Sequence, residues 1–232
     1  MRKPIVLTLA VLIAAFSLAV WLIGYDASSI QAHERRIGNI IPFGGYDWRV
    51  LDVQGSMALT ITENVIKRRP YNAQQTGVTW ETCPLREYLN GEFLQKFTRE
   101  EQGRIAETRI QNHDNLWYGT KGGDDTNDKI FLLSLEEADK YFGNSGDYQN
   151  KRRKSYENGK WVSVDNGFAF SNANDSDRIA NYSRQASWWW LRSPGRTIHN
   201  VSVVYDDGLV DVGGYGASFE HGGLRPALWL NL

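Results

Sequence analysis

The sequence predicts an α+β fold in which antiparallel hairpins near both ends of the domain enclose two or three helices and long loops. Three observations carry this prediction: an alternating apolar stretch over residues 48–61, two helix-capping motifs in the middle of the chain, and a second alternating stretch over residues 200–214. Runs of strands that are segregated from runs of helices are typical of the α+β class.

The composition fits a folded globular body. The chain has 232 residues, of which 41% are hydrophobic and 23% charged, with a formal net charge of −1. This balance argues against a nucleic-acid partner, which would require a basic surface to neutralise phosphates. The single cysteine, Cys83, excludes an intramolecular disulfide. The nine Trp, eleven Tyr and nine Phe must therefore supply much of the core.

The N-terminus predicts a membrane anchor over residues 1–25. Arg2 and Lys3 precede an apolar run over residues 5–23, and about 20 apolar residues span a bilayer. The run is longer than the apolar region of a signal peptide, although a cleaved and secreted form remains the alternative. The positive-inside rule then places the rest of the chain outside the cell membrane. We expect a tether over residues 26–36 and one extracytoplasmic domain over residues 37–232.

The first element of the domain is a predicted hairpin, with Gln54-Gly55 as a two-residue turn. That turn would place Trp48 opposite Ile61 and Val50 opposite Leu59, which makes one face of the hairpin apolar.

Three helices follow. Thr82 or Cys83 can cap a helix that has Pro84 at its first position. Capping-box spacing at Thr98 and Glu101, and again at Ser134 and Glu137, predicts two more helix starts. We expect a strand at Lys129–Leu133 before the last helix, and Gly143 as that helix's stop.

The remaining segments are loops and then strands. Residues 143–186 predict long loops, with a short strand at Trp161–Val164. Asp207-Gly208 predicts a two-residue type I′ turn that pairs Tyr205 with Val210 and Val203 with Val212. The run "LRPALWLNL" predicts a final strand.

Five motifs in order carry a resemblance to a known family. They are "FGGYDWRVLD", "PYN…TWETCPLREYLN", "NDKIFLLSLEEADKYF", "WWLRSPG" and "GGLRPALWLNL". Together they resemble DUF6273, a bacterial family of exported domains of unknown function, over about residues 37–232. The closing part is similar to the C-terminal half of C-type-lectin-like folds, including formylglycine-generating enzymes and the variable proteins of diversity-generating retroelements. This resemblance implies a C-type-lectin-like mixed fold whose last strand pairs with the first, with Leu228 and Leu230 near Trp48 and Val50.

Two Gly-rich loops after residue 195 are the candidate ligand face. Loops of this kind that carry aromatic residues resemble antibody paratopes, and the equivalent region of the retroelement proteins is their ligand face. The candidate ligand-binding residues are Arg196, His199, Tyr215, Phe219, Glu220 and His221. A flexible hairpin tip without a ligand is the alternative interpretation.

Five further residues are predicted to have structural roles. Because neighbours on a strand alternate between faces, Trp188 and Trp190 share one side and Trp189 takes the other, and we expect all three in the core. Arg192 and Arg225 stand in apolar motifs, where a guanidinium can bond several backbone carbonyls and stack on a Trp ring.

No metal site and no cofactor are predicted. The acidic segment 124–128 could offer oxygen ligands to Ca²⁺, and so could 172–178, but such clusters are more typical of turns. The four histidines lack metal-ligand spacing. The resemblance to formylglycine-generating enzymes would imply a copper-dependent chemistry that uses two cysteines. This chain has one cysteine, so that activity is not expected.

The leading functional hypothesis is a membrane-tethered binding module that recognises an unidentified surface glycan, peptide or protein. One alternative is a cell-envelope enzyme that uses a carboxylate pair from Asp206, Asp207, Asp211 or Glu220. The other alternative is a structural component of an envelope complex.

Overall fold

The computed structural model describes residues 36–74, 76–142, 168–170 and 175–232. The predicted anchor and the predicted strand at Trp161–Val164 lie outside these ranges. Of the predicted tether, only Arg36 lies within them. Within the described ranges, we find no helix whose length and apolar content would let it span a bilayer.

The elements follow in chain order. The strands are β1 (Ile40–Phe43), β2 (Tyr46–Gln54), β3 (Met57–Thr62), β4 (Lys67–Arg68), β5 (Ile105–Ala106), β6 (Thr108–Ile110), β7 (Thr126–Asp128), β8 (Phe168–Phe170), β9 (Asn181–Tyr182), β10 (Gln185–Ala186), β11 (Trp189–Pro194), β12 (Asn200–Val204), β13 (Val210–Gly216), β14 (Gly223–Leu224) and β15 (Ala227–Asn231). The α-helices are α1 (Pro84–Tyr88), α2 (Arg99–Arg104), α3 (Leu135–Phe142) and α4 (Asp175–Arg178). A π-helical turn (Leu89–Phe93) and a 3₁₀ turn (Leu94–Lys96) continue α1.

Two larger sheets organise the domain. One has five strands in the order β1-β2-β3-β15-β5, and the other has six in the order β4-β14-β11-β12-β13-β8. The strand pairs are antiparallel except for β11 with β14. The α+β prediction is confirmed by this mixture of mainly antiparallel sheets and short helices.

Both predicted capping boxes are present. The Thr98 hydroxyl accepts the Glu101 N–H at 3.2 Å, and the Glu101 carboxylate accepts the Thr98 N–H at 2.7 Å. The Ser134–Glu137 box has the corresponding distances of 3.1 and 2.9 Å. Each box satisfies two N–H groups that the first helical turn leaves free.

The predicted register of the N-terminal hairpin is wrong. Gln54 pairs with Met57, so the two-residue turn is Gly55-Ser56, with Gly55 at a φ of 62°. A bulge between Val50 and Asp52 then shifts the pairing again, and Trp48 lies opposite Thr62. The hydrophobic pattern could not fix this register because both faces of β3 are buried.

The C-terminal hairpin is also one residue out of the predicted register. The loop has three residues, because the Gly208 N–H reaches the Tyr205 carbonyl at 3.0 Å and Gly208 adopts a φ of 88°. That geometry is a type I turn followed by a left-handed glycine. Val203 therefore pairs with Asp211 instead of Val212, and Val204 pairs with Val210.

The predicted strand at Lys129–Leu133 is wrong. Only Phe131 forms a bridge, to Ala227. The Asn90 side chain replaces a neighbouring strand, because its oxygen accepts the Lys129 and Ile130 N–H groups and its amide donates to the Ile130 carbonyl at 2.8 Å. The segment is buried, as its apolar residues require, without being part of a sheet.

The last strand pairs with a different neighbour from the one expected. In β15, Leu228 lies opposite Thr60 and Leu230 opposite Ala58, so the strand pairs with β3 on one side and with β5 on the other, and not with the strand that carries Trp48 and Val50. The last strand still joins the opening hairpin.

A buried arginine joins the two larger sheets. Arg225 is 1% exposed and donates to the carbonyls of Thr62 at 2.9 Å, Arg178 at 3.1 Å and Glu63 at 3.1 Å. Its guanidinium lies 5.0 Å from the centre of the Trp189 ring. Burial lowers the pKa of Arg225 to about 10, so the group is still charged at neutral pH.

Replacing Arg225 by Lys should lower the free energy of unfolding by about 2–4 kcal/mol, because an ammonium cannot bond three divergent carbonyls and stack at once. Chemical denaturation of the full chain measures this change. The matched control is Arg99→Lys at an exposed position, which should leave the transition midpoint unchanged. Equal transition midpoints for both variants would contradict this role of Arg225 in joining the two sheets.

Candidate functional site

Four aromatic rings form a continuous column from the core to the surface, which we call the aromatic column. Its rings are Trp190, Trp188, Tyr215 and Phe219, with successive centroid distances of 4.8, 5.0 and 5.5 Å. Exposure rises along it: Trp190 is fully buried, Trp188 and Tyr215 are half-buried, and Phe219 is 55% exposed. The column therefore presents one aromatic ring to solvent on a rigid support.

The tryptophan run alternates between the two faces of β11. Trp188 and Trp190 are in edge-to-face contact on one side. Trp189 is fully buried on the other side, 6.5 Å from the Phe142 ring, and its indole N–H donates to the Arg178 carbonyl at 3.0 Å. Trp188 and Trp190 thus belong to the aromatic column, whereas Trp189 packs against the buried guanidinium of Arg225.

A pocket of about 370 Å³ opens beside Phe219, and we call it the loop pocket. It is lined by Gln74, Thr76, His199, Asn200, Gly216, Ala217, Ser218 and Phe219. The described residues that line it include no Asp, Glu, Lys or Arg side chain. It combines amides, hydroxyls and one imidazole with one aromatic face.

Backbone hydrogen bonds tie together the three loops that form this pocket. The Asn72 N–H donates to the Ala217 carbonyl at 2.9 Å, and the Val78 N–H donates to the Ile198 carbonyl at 3.0 Å. The Ala217 N–H donates to the His199 carbonyl at 2.9 Å. These bonds fix the loops relative to one another, so the pocket is formed before any ligand arrives.

Of the six candidate ligand-binding residues, three lie at the loop pocket or directly beneath it, and three lie outside it. His199 and Phe219 line the loop pocket, and Tyr215 packs beneath Phe219. Arg196, Glu220 and His221 are exposed but do not line it, and Arg196 lies over the Tyr118 ring at 5.7 Å. Gln74 and Thr76 also line the pocket and could not be predicted from the sequence, because only tertiary contacts bring their polar loop to this face.

Arg192 is a second buried arginine that connects separate elements of the domain. It is 5% exposed, pairs with both carboxylate oxygens of Glu137, and donates to the carbonyls of Leu132 at 2.7 Å and Gln111 at 3.2 Å. Because Glu137 also completes the capping box of α3, this ion pair connects the start of α3 to β11.

The four candidate catalytic acids are distributed along the C-terminal hairpin. Asp211 accepts the Tyr205 hydroxyl at 2.8 Å and the N–H groups of Gly213 and Gly214 at 2.8 and 2.9 Å. Burial, with hydrogen bonds to Tyr215 and Asp211, raises the pKa of Tyr205.

The other three acids are exposed and lie at opposite ends of β13. Asp206 and Asp207 stand in the turn before this strand and Glu220 lies after it. A seven-residue strand spans about 20 Å, which is too far for Asp206 or Asp207 to form a catalytic carboxylate pair with Glu220.

Two of the three carboxylates in segment 124–128 have protein partners. Asp125 pairs with Arg109 at 3.1 Å. Asp128 is buried and accepts from Trp80 at 2.8 Å and from Arg86 at 2.7 Å. Among the residues that the structure describes, no group of three or more His, Cys, Asp or Glu side chains could hold a metal ion. Segment 172–178 is described only from Asp175 onward.

Cys83 lies in the core next to Tyr71. Its thiol donates to the Tyr71 carbonyl at 3.2 Å. Burial raises the pKa of the thiol to about 12, so it stays protonated and unreactive at neutral pH.

One comparison with known proteins gives a match. A family model described as a domain of unknown function (DUF6273) matches residues 55–232, which is more than half of the chain. Neither the curated proteins nor the solved structures contain a match to the chain. The matched region begins at the turn between β2 and β3, whereas the five-stranded sheet already begins at β1.

The tryptophan alternation predicts unequal effects of two neighbouring substitutions. Trp189→Ala should lower the free energy of unfolding by about 3–5 kcal/mol, because it opens a cavity in the core. Trp188→Ala should have less than half of that effect, because its ring is already partly solvated. Chemical denaturation of both variants measures the difference, and equal losses would contradict the alternation.

Proposed function

The chain belongs to the DUF6273 family, whose description names no activity, and we propose that it is an extracytoplasmic, membrane-tethered binding module. Its ligand is an uncharged surface molecule, best represented by a glycan. The ligand binds in the loop pocket with one face on Phe219. The observation that carries this proposal is the exposed Phe219 ring, supported by Tyr215, at the edge of an uncharged pocket.

The exposed Phe219 ring suits the apolar face of a sugar. A 55% exposed phenyl ring keeps much of its apolar surface in water, and covering that surface is favourable. The ring's negative face attracts the weakly positive C–H groups of a sugar. Because Phe219 rests on Tyr215, little side-chain freedom is lost when a ligand covers it.

The lining favours an uncharged ligand over a charged peptide. Gln74, Thr76, Asn200 and Ser218 provide donors and acceptors that suit ring hydroxyls. A charged group that entered the pocket would lose water without gaining an opposite charge from the lining. A volume of about 370 Å³ accommodates a small ligand or one or two units of a longer chain.

The proposed location rests on the N-terminal sequence. Residues 1–25 would anchor the protein, with Arg2 and Lys3 on the cytoplasmic side, and residues 26–36 would tether the domain outside. A C-type-lectin-like arrangement of the domain belongs to the same proposal. It is supported by the last strand joining the opening hairpin and by the loops gathered after β12 and β13.

The test is a glycan array probed with the full chain in detergent, followed by titration of the best ligand. Phe219→Ala should weaken binding at least about tenfold, as truncation of a central aromatic contact does. It should leave the thermal midpoint within about 2 °C, because the ring is largely exposed.

The matched control is Ile37→Ala, which removes another exposed apolar side chain, 69% exposed, before β1. This variant should keep full affinity. The proposal would be contradicted if Phe219→Ala bound the ligand as tightly as the natural chain does. It would also be contradicted if the protein bound only charged ligands on the array.

A further inference from the structure

We propose that the protein has a second binding surface, which takes a linear polymer with repeated phosphate groups. We call it the basic edge. It consists of Lys67, Arg68 and Arg69 together with Arg184. The inference does not depend on the loop pocket or on the proposed glycan.

The basic edge follows the outer strand of the six-stranded sheet. Among the described strands, β4 pairs with β14 alone, where Arg68 pairs with Gly223 and Lys67 with Leu224. Lys67 and Arg68 are exposed and Arg69 is half-buried. Because successive strand residues alternate, the three cations extend to both sides of this edge.

Tyrosine rings, and not carboxylates, hold these cations in place. Lys67 and Arg69 lie 5.0 and 4.0 Å from the centre of the Tyr88 ring, and Arg68 lies 4.8 Å from that of Tyr182. The ion pairs among the described residues all involve other basic side chains. A tyrosine ring restrains a cation without neutralising it, so the charge stays available to an anion.

Arg184 is carried on the turn of the neighbouring hairpin. This β9–β10 hairpin includes Tyr182, the ring beneath Arg68, and its Asn181 carbonyl accepts the Val65 N–H at 3.0 Å. Both turn residues are left-handed, Ser183 at a φ of 52° and Arg184 at 66°. Asn-Gly is the usual sequence for such a turn, so an exposed arginine occupies a position that local backbone preference disfavours.

The ligand chemistry follows from the charge and the shape of the surface. Four cations that form no ion pair with another described residue, on a protein of net charge −1, create a local positive field. Arginine's planar donors match phosphate oxygens. The large exposed apolar residues that the structure describes are Ile37, Ile40, Ile198 and Phe219, and none of them belongs to the basic edge. A bilayer surface would gain from apolar insertion, whereas a linear chain of phosphates needs only the cations along this edge.

The probe is end-labelled inorganic polyphosphate, titrated into the full chain in neutral detergent while fluorescence anisotropy is recorded at several salt concentrations. The natural chain should bind, with affinity that falls steeply with salt. The triple variant K67Q/R68Q/R69Q should bind at least about tenfold more weakly at low salt, and its log–log salt slope should be smaller by about 2. R184Q alone should reduce the slope by about 0.7.

The matched control is R36Q/K96Q/R99Q, which removes the same charge from exposed positions elsewhere. This control should bind like the natural chain, and an equal loss in it would reduce the proposal to an effect of net charge. R184Q keeps the test independent of folding, because it changes an exposed turn residue.

Two further outcomes would overturn the proposal. One is the absence of polyphosphate binding to the natural chain at low salt. The other is displacement of polyphosphate by micelles doped with phosphatidylglycerol at a lower phosphate concentration than by unlabelled polyphosphate, which would assign the surface to lipid headgroups. Phe219→Ala should leave polyphosphate binding unchanged, so this proposal and the glycan proposal can fail separately.

Discussion

The buried guanidinium of Arg225 is the interaction on which the rest of the structure depends. This charged group is buried away from solvent, and its hydrogen-bond partners are the carbonyls of Thr62, Glu63 and Arg178. Such burial is tolerated only where every donor finds an acceptor. The end of β3 and the end of α4 must therefore converge on one point, and the ring of Trp189 closes it. The relative position of the two larger sheets follows from this requirement.

The position of Trp189 determines what the other face of β11 can present. Because Trp189 is fixed against Arg225, Trp188 and Trp190 must lie on the opposite side, where they begin the aromatic column. The Trp190 indole N–H donates to the Arg69 carbonyl at 3.0 Å. A Cβ at Gly222 would overlap that indole, so only glycine fits there. One core strand thus supports both proposed surfaces.

Local chemistry was predictable from the sequence, and pairings between distant segments were not. The Thr98 and Ser134 capping boxes depend on residues three positions apart, and both are present. The registers of the two hairpins were wrong because β3 and β12 are buried on both faces, which removes the polar alternation that specifies register. Phe219 was predicted as a candidate from its loop, but Gln74 joined it only through tertiary contacts.

The basic edge and the loop pocket are also connected in space. Residues 69–72 run alongside residues 217–222, because the Arg69 N–H donates to the Gly222 carbonyl at 3.0 Å and the Asn72 N–H to the Ala217 carbonyl at 2.9 Å. Three extended residues span about 10 Å, so the two surfaces are within reach of one polymer. If both proposals hold, a chain that bears neutral sugars and phosphates would engage both at once. Each weak contact would then raise the effective concentration at the other, which is a reason for one small domain to keep an uncharged pocket beside a charged edge.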